Sequence, residues 1–323
     1  FKSLLPAAAL AVLCSCSTFD EEKITLDGER ISVLDGETAL QPDYAPGQVK
    51  IVLPAPYTNT AWSQNGGNAA HMMGHLSSDS KLKELWESGF GEGSSKRDFL
   101  IAAPVSAHKA VFTIDADGIV NAFRLDDGRK IWKRRLKPLI KDDISTSLKG
   151  AGLAVFDKKV YATTGFGAVF ALDMVTGKKL WRYDTELPIR IAPTAERGVV
   201  FIQTIDNKLI ALNGVDGSVL WDYKSPSEET TLVGGASPAY SPQQDTIVAA
   251  FSNGELRAFK ASTGSPLWSD ILVSRKRTNS PANINAIKAN PVIDGSTVYA
   301  VGNNNILVAI DPVSYTHLTL PTI

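Results

Sequence analysis

Hydrophobic and polar positions in this chain alternate with a period of two in short runs, and turn signals break the runs at regular intervals. Residues 110–136 hold three such runs, separated by Asp117-Gly118 and Asp127-Gly128, and the last run carries Trp132. Period-two alternation interrupted by Asp-Gly predicts antiparallel strands joined by hairpins. The unit recurs. Residues 159–173 lead through Thr176-Gly177 to Trp181, residues 199–212 through Asp216-Gly217 to Trp221, and residues 246–259 through Thr263-Gly264 to Trp268. A last copy runs from Val298 to Asp311.

The shared unit is Ala-(Leu/Phe/Ile)-x4-Gly-x3-Trp, preceded by a strand and a tight turn. Five of the six tryptophans stand at 86, 132, 181, 221 and 268, spaced by 46, 49, 40 and 47 residues. A further strand precedes most units, marked by Pro104, Pro193, Pro238 and Pro291. Proline is tolerated at a strand start, where no ladder donor is needed. Four strands per repeat of 40 to 50 residues predict an all-β fold, a β-propeller of four-stranded antiparallel blades. In each unit the glycine (Gly128, Gly177, Gly217, Gly264) supplies freedom for the turn into the outer strand. The tryptophan then projects from that strand, where only a neighbouring blade can cover it. Burying one indole removes roughly 150–250 Å² from water, about 4–6 kcal/mol before entropy is charged against it. Trp86, Trp132, Trp181, Trp221 and Trp268 are therefore expected to tie each blade to the next, with Trp86 ending an earlier, incomplete copy.

Composition changes this picture little. The 323 residues are 44% hydrophobic, with 33 basic and 34 acidic side chains and a net charge of −1. A large core is possible, and no global charge points to nucleic acid or an anionic membrane surface. The two cysteines are Cys14 and Cys16, so the body holds neither a disulfide framework nor a thiolate cage. After residue 20 no apolar run is long enough to span a bilayer as a helix.

The N-terminus carries an address. Lys2 precedes about eleven mostly apolar residues, and Leu13-Cys14-Ser15-Cys16 is similar to a bacterial lipobox, with Cys16 as the acylated residue. Each buried acyl CH₂ contributes roughly 0.8 kcal/mol to membrane binding. Residues 1–15 are expected to be a lipoprotein signal peptide whose true start lies upstream of Phe1. Residues 16–57 are expected to be a lipidated tether, with a small hairpin at Asp27-Gly28 and prolines at 42, 46, 54 and 56. Residues 58–312 are the propeller. Residues 313–323 depart from the repeat, with no glycine near 315 and no tryptophan near 319, and are expected to be a non-native tail.

Other chemistry is sparse. His71 and His75 stand at i, i+4 but lack an adjacent glutamate and follow the loop-like Gly66-Gly67-Asn68, so a metal site is not expected. Asp115-Ala116-Asp117-Gly118 reads as a hairpin turn rather than a calcium loop, which would need a later glutamate. Gly89-Phe90-Gly91-Glu92-Gly93 has no following helix to present amides to a phosphate. The basic runs Arg275-Lys276-Arg277 and Lys133-Arg134-Arg135 lack interleaved aromatics for nucleic acid. A loop between blades and a solvated edge account for them, with a charged protein contact as the sharper alternative.

The fuller pattern Ala-x-Asp-x3-Gly-x3-Trp, met in Ala171, Asp173, Gly177 and Trp181, resembles the tryptophan-docking repeat of PQQ-type propellers. That family spans quinoprotein alcohol dehydrogenases and outer-membrane assembly lipoproteins of the BamB type. The resemblance implies eight blades, of which five to six are expected here, so that the chain is C-terminally truncated and two apolar blade faces lie open. A dehydrogenase would need calcium-bound PQQ, a catalytic aspartate and usually a cysteine pair, and the body has no cysteine. The resemblance therefore implies a non-enzymatic scaffold without cofactor or metal, at the periplasmic face of a Gram-negative outer membrane. It would be a monomer within a complex, held by its lipid anchor, with a BamA-like barrel-assembly protein and unfolded outer-membrane clients as partners. A PQQ-dependent dehydrogenase fragment is the alternative. The resemblance places the partner contact on loops at one face, on Leu232, Val233 and Gly234 and on Asn285, Ala286 and Lys288. The arginine and the acidic residues that it would put there are absent.

Overall fold

A computed structural model describes residues 45, 47–48, 50, 52–79, 81–96, 99–139, 150–227, 234–272, 285–303, 306–312 and 316–318. The signal segment, Cys16, the hairpin at Asp27-Gly28, Leu232, Val233 and Arg275-Lys276-Arg277 lie outside these residues. Ala45 to Gln48, in the N-terminal unit, form a local turn closed by Gln48 N donating to Ala45 O at 3.0 Å.

Every regular element described is a strand, and the strands build five four-stranded antiparallel sheets. Blade 1 is β1 (Val105–Ala107), β2 (Ala110–Ile114), β3 (Ile119–Arg124) and β4 (Lys130–Arg135). Blade 2 is β5 (Gly150–Phe156), β6 (Lys159–Thr164), β7 (Ala168–Asp173) and β8 (Lys179–Asp184). Blade 3 is β9 (Thr194–Glu196), β10 (Val199–Gln203), β11 (Lys208–Asn213) and β12 (Val219–Lys224). Blade 4 is β13 (Ala239–Ser241), β14 (Thr246–Ala250), β15 (Glu255–Lys260) and β16 (Pro266–Ile271). Blade 5 is β17 (Val292–Asp294), β18 (Thr297–Val301), β19 (Leu307–Ile310) and β20 (His317–Leu318). The chain is an all-β propeller of about five blades.

Period two has a specific meaning here. The middle strands are buried on both faces, and alternate residues serve different neighbours. In β10, Val200 and Ile202 pack with blade 2, whereas Phe201 packs with blade 4. One core therefore lies between each pair of consecutive blades. The outer strands β4, β8, β12 and β16 are largely exposed.

The repeat unit acquires a physical reason position by position. Its alanine stands directly across the ladder from its tryptophan, as Ala122 from Trp132, Ala171 from Trp181, Ala211 from Trp221 and Ala258 from Trp268. A small side chain leaves the indole free to turn toward the next blade. The register then slips by one residue just after each alanine, a bulge repeated in all four blades. Asp173 caps the turn, its Oδ1 accepting from Thr176 N at 2.7 Å and Thr176 Oγ1 at 2.6 Å, and these bonds hold its carboxyl below the usual range.

Each indole lands on the glycine turn of the following blade. Trp86, Trp132, Trp181 and Trp221 lie against Gly128, Gly177, Gly217 and Gly264, where an added Cβ would come within 2.5–2.7 Å of the ring. Each indole N–H also donates to a carbonyl in that turn: Leu125, Met174, Gly214 and Ala261, with Trp268 on Pro312, at 2.7–3.1 Å. Within its own blade each of three rings meets an aromatic on the second strand, Phe112, Tyr161 or Phe201, at 5.8–5.9 Å.

Two ends of the blade series differ. Trp86 docks like the others although its segment joins no sheet, and Leu82 and Leu85 beside it are 89% and 82% exposed. On blade 5, Tyr299, Val301 and Leu307 are exposed. The segment expected to be foreign contributes β20, whose Leu318 stands opposite Ala309, the register that tryptophan holds in the other blades.

Residues 62–71 cross the axis of the propeller and touch the inner edge of every blade. Trp62 exchanges two bonds of 2.8 Å with Ser106 of β1, and Val155 N of β5 donates to Ser63 O at 2.7 Å. Gln64 clasps Ala195 of β9, accepting from its N–H at 2.9 Å and donating to its carbonyl at 3.3 Å. Tyr240 N of β13 and Ile293 N of β17 donate to Ala69 O and Ala70 O at 2.7 and 2.9 Å. The path turns at Gly66 and Gly67, both at positive φ, where an added Cβ would strike His71 and Met73 Sδ. Tyr57, expected in the tether, already bridges to Leu76.

Candidate functional site

Two adjoining cavities open beside this central segment. One, of about 50 Å³, is bounded by Gln203, Thr204, Asn207, Ser252 and Ile287; the other, of about 250 Å³, by Asn65, Ile101, Ala103, Ala151 and Leu153. They share the wall formed by Arg190, Ile191, Gly234, Gly235 and Lys288. Gly234 and Gly235 lead into β13 and Lys288 into β17, and of the residues singled out from the sequence Gly234, Ala286 and Lys288 line the smaller cavity, whereas Asn285 is not in its wall. Gly234 and Asn285 are half-buried, Ala286 is buried and Lys288 is exposed. Leu232 and Val233 fall outside the described residues.

The chemistry of the wall is cationic. Arg190 and Lys288 are its only charged residues among those described, and neither makes a hydrogen bond or ion pair there. Gln203 is 8% exposed; its Nε2 donates to Ala250 O at 3.2 Å, and its Oε1 has no partner. Asn207 is held on both ends, donating to Pro226 O at 2.7 Å and accepting from Ser252 N and Oγ at 3.1 and 2.9 Å. The Thr204 hydroxyl donates to Asp206, which also pairs with Lys224. Burial works against the Asp206 carboxylate, but these two contacts hold its pKa below the usual range. Asn65 braces the floor through Ser237 Oγ at 3.1 Å. Arg190, Gln203 and Asn65 were not singled out from the sequence. A lone arginine in Leu187-Pro188-Ile189-Arg190 offered no local signal.

The other motifs resolve into structure. His71 and His75 lie in an extended loop, not on one helical face: His71 Nδ1 bonds Pro291 O and His75 Nδ1 bonds Pro54 O, each at 2.7 Å. Buried Asp115 accepts from Ile119 N at 2.7 Å and Asp117 N at 3.0 Å, which closes a hairpin turn. Gly91 lies where a Cβ would stand 2.0 Å from Asp115 Oδ2. Among the described residues no three His, Cys, Asp or Glu side chains cluster as metal ligands. Among its described residues the wall offers no carboxylate to hold the calcium of a calcium-bound PQQ.

The blades and their joints define a tryptophan-docked propeller of the PQQ type. Solved structures of that fold include BamB from Moraxella catarrhalis, with a TM-score of 0.59 at 17% identity over 68% of this chain and 63% of that one. The quinohemoprotein alcohol dehydrogenase from Comamonas testosteroni gives 0.60 at 17% over 80% and 48%. Residues 116–318 match the family model described as outer membrane protein assembly factor BamB, and the chain belongs to that family. Its relative in Moranella endobia, an outer membrane protein assembly factor BamB, is 24% identical over 235 residues. The match covers 72% of this chain and 60% of that one, so the chain spans about three fifths of the relative's length.

Proposed function

We propose that this protein is a non-enzymatic scaffold of outer-membrane β-barrel assembly, lipidated at Cys16 and held at the periplasmic face of the outer membrane. It binds a BamA-like barrel-assembly protein through the loops around Gly234 and Lys288. The observation that carries this reading is the family match over residues 116–318. The joints support it, since their tryptophans are consumed in holding blades together.

Clients meet a different surface. Among the described residues the outer strands β4, β8, β12 and β16 end their sheets, each strand six residues long with no partner on its outer side. On each, the residue before the tryptophan is half exposed: Ile131, Leu180, Leu220 and Leu267, at 46–48%. An extended, unfolded barrel strand can add to such an edge through main-chain bonds and place apolar side chains on that belt. The inner edges are closed to clients, because residues 62–71 already occupy them.

The test is a pull-down from solubilised outer membranes with full-length bait. BamA among the captured proteins supports the scaffold, and its absence overturns it. Mass spectrometry of the mature N-terminus checks the anchor; a Cys16→Ser protein should lose both the acyl mass and the membrane fraction.

A further inference from the structure

The central cavities carry more information than their position. Arg190 and Lys288 come from different blades, line both cavities and are unpaired among the described residues. Two cations at one concave wall with no carboxylate among its described residues repel each other, and the arrangement is relieved by an incoming anion. Beside them, Gln203 Oε1 is buried with no donor, and leaving such an acceptor unmatched costs about 1–3 kcal/mol. Once the amide turns toward the smaller cavity, which Gln203 lines, an N–H brought in next to the anion would satisfy it. Anion and N–H together are what a peptide segment bearing Asp or Glu presents.

The size favours a segment of a macromolecule over a free cofactor. The larger cavity is about 250 Å³ and the smaller about 50 Å³. Small-molecule sites run from roughly 300 to 1,000 Å³ and enclose their ligand. These cavities suit one or two side chains that enter from a protein surface. We propose that they seat an acidic loop of the protein partner, with Arg190 and Lys288 meeting its carboxylates and Gln203 taking one of its N–H groups. The site deepens the scaffold reading: it specifies the charge of the partner's contact, which must be negative where it faces Lys288.

The experiment measures affinity by biolayer interferometry for full-length protein, wild type and Arg190→Glu/Lys288→Glu. One ligand is the periplasmic part of the BamA-like protein from the same organism. The others are a Gly-spaced Glu/Asp peptide and its Gln/Asn copy. Both cations are at least partly solvent-accessible, so the reversed variant should keep its thermal midpoint, with Lys288→Ala as a milder check. The expected result is affinity at least about tenfold weaker in the reversed variant, mostly in the association rate, with a salt dependence that only the wild type shows. The acidic peptide should bind the wild type, and the Gln/Asn copy should not. Equal binding of the partner by wild type and reversed variant would overturn this site and leave the scaffold reading intact. Acidic-peptide binding that needs both cations, with no binding to the BamA-like protein, would overturn the named partner and retain the site. Absence of both would overturn both.

Discussion

Trp132 of the first blade lies on Gly177 of the second: a Cβ added to Gly177 would stand 2.6 Å from the indole, while Trp132 Nε1 donates to Met174 O at 2.9 Å. The glycine is required twice, since its φ of 65° also belongs to the left-handed region. Gly177→Ala should therefore lose roughly 2–4 kcal/mol, from backbone strain plus an overpacked ring. Urea unfolding followed by tryptophan fluorescence measures it. Gly198→Ala is the control, because φ is positive there too but no atom lies within 4 Å of the added Cβ. It should lose only the backbone part.

Trp181 is nearly buried, and its indole N–H donates to Gly214 O at 3.1 Å. Two substitutions separate its roles. Trp181→Ala should cost about 3–5 kcal/mol through a cavity between blades 2 and 3. Trp181→Phe keeps most of the ring and should cost about 1–2 kcal/mol, chiefly for the lost bond. Tyr161 OH also donates to Gly214 O, at 3.2 Å, so the carbonyl keeps a partner and the Phe value should fall at the low end. Equal losses for the two variants would mean that the hydrogen bond, not the packing, holds the joint.

Gln64 is 2% exposed and satisfies both main-chain groups of Ala195. Gln64→Leu leaves an N–H and a C=O without partners, at about 1–3 kcal/mol each. The melting temperature should fall, and limited proteolysis should cut within residues 62–71 before it cuts the blades. Resistance of that segment in the variant would show that its main-chain bonds to β1, β5, β13 and β17 suffice.

His71 makes stability depend on pH. Burial lowers its pKa from the ordinary 6.5, with the Pro291 carbonyl opposing weakly. The folded state therefore binds fewer protons than the unfolded chain below that value. The contribution of neutral His71 is fully present above about pH 6.5 and is lost as pH falls through the window beneath it. His71→Asn, which tolerates the φ of 58° found there, should flatten that part of the stability profile in calorimetry between pH 7.5 and 5. An unchanged slope would assign the acid sensitivity to other groups.

The blades were legible in the sequence because their signals are local. Alternation, the glycine turn and the tryptophan four residues beyond it all lie within one repeat, and hairpin-paired strands need no distant information. Four of the five inner strands were flagged by Pro104, Pro193, Pro238 and Pro291. The fifth, β5, has no such proline and starts Gly150-Ala151-Gly152, with a Cβ on Gly152 excluded by Ala192 of the next blade at 2.3 Å. The alanine of the repeat was visible as a pattern, but its reason, a position across the ladder from tryptophan, required the register.

The central segment was not legible. Residues 62–71 look like a glycine-containing loop, and their partners lie far along the chain: Ala195 is 131 residues from Gln64, and Pro291 is 220 from His71. The site has the same character, since Arg190 and Lys288 belong to different blades and share a wall only because the blades stack around an axis. Local periodicity and turn chemistry dictate each blade and the joint that leaves it. Only the stacking of the blades and the path of residues 62–71 decide which inner edges are covered and which charges meet, because contacts between distant repeats leave no short-range trace in the order of residues.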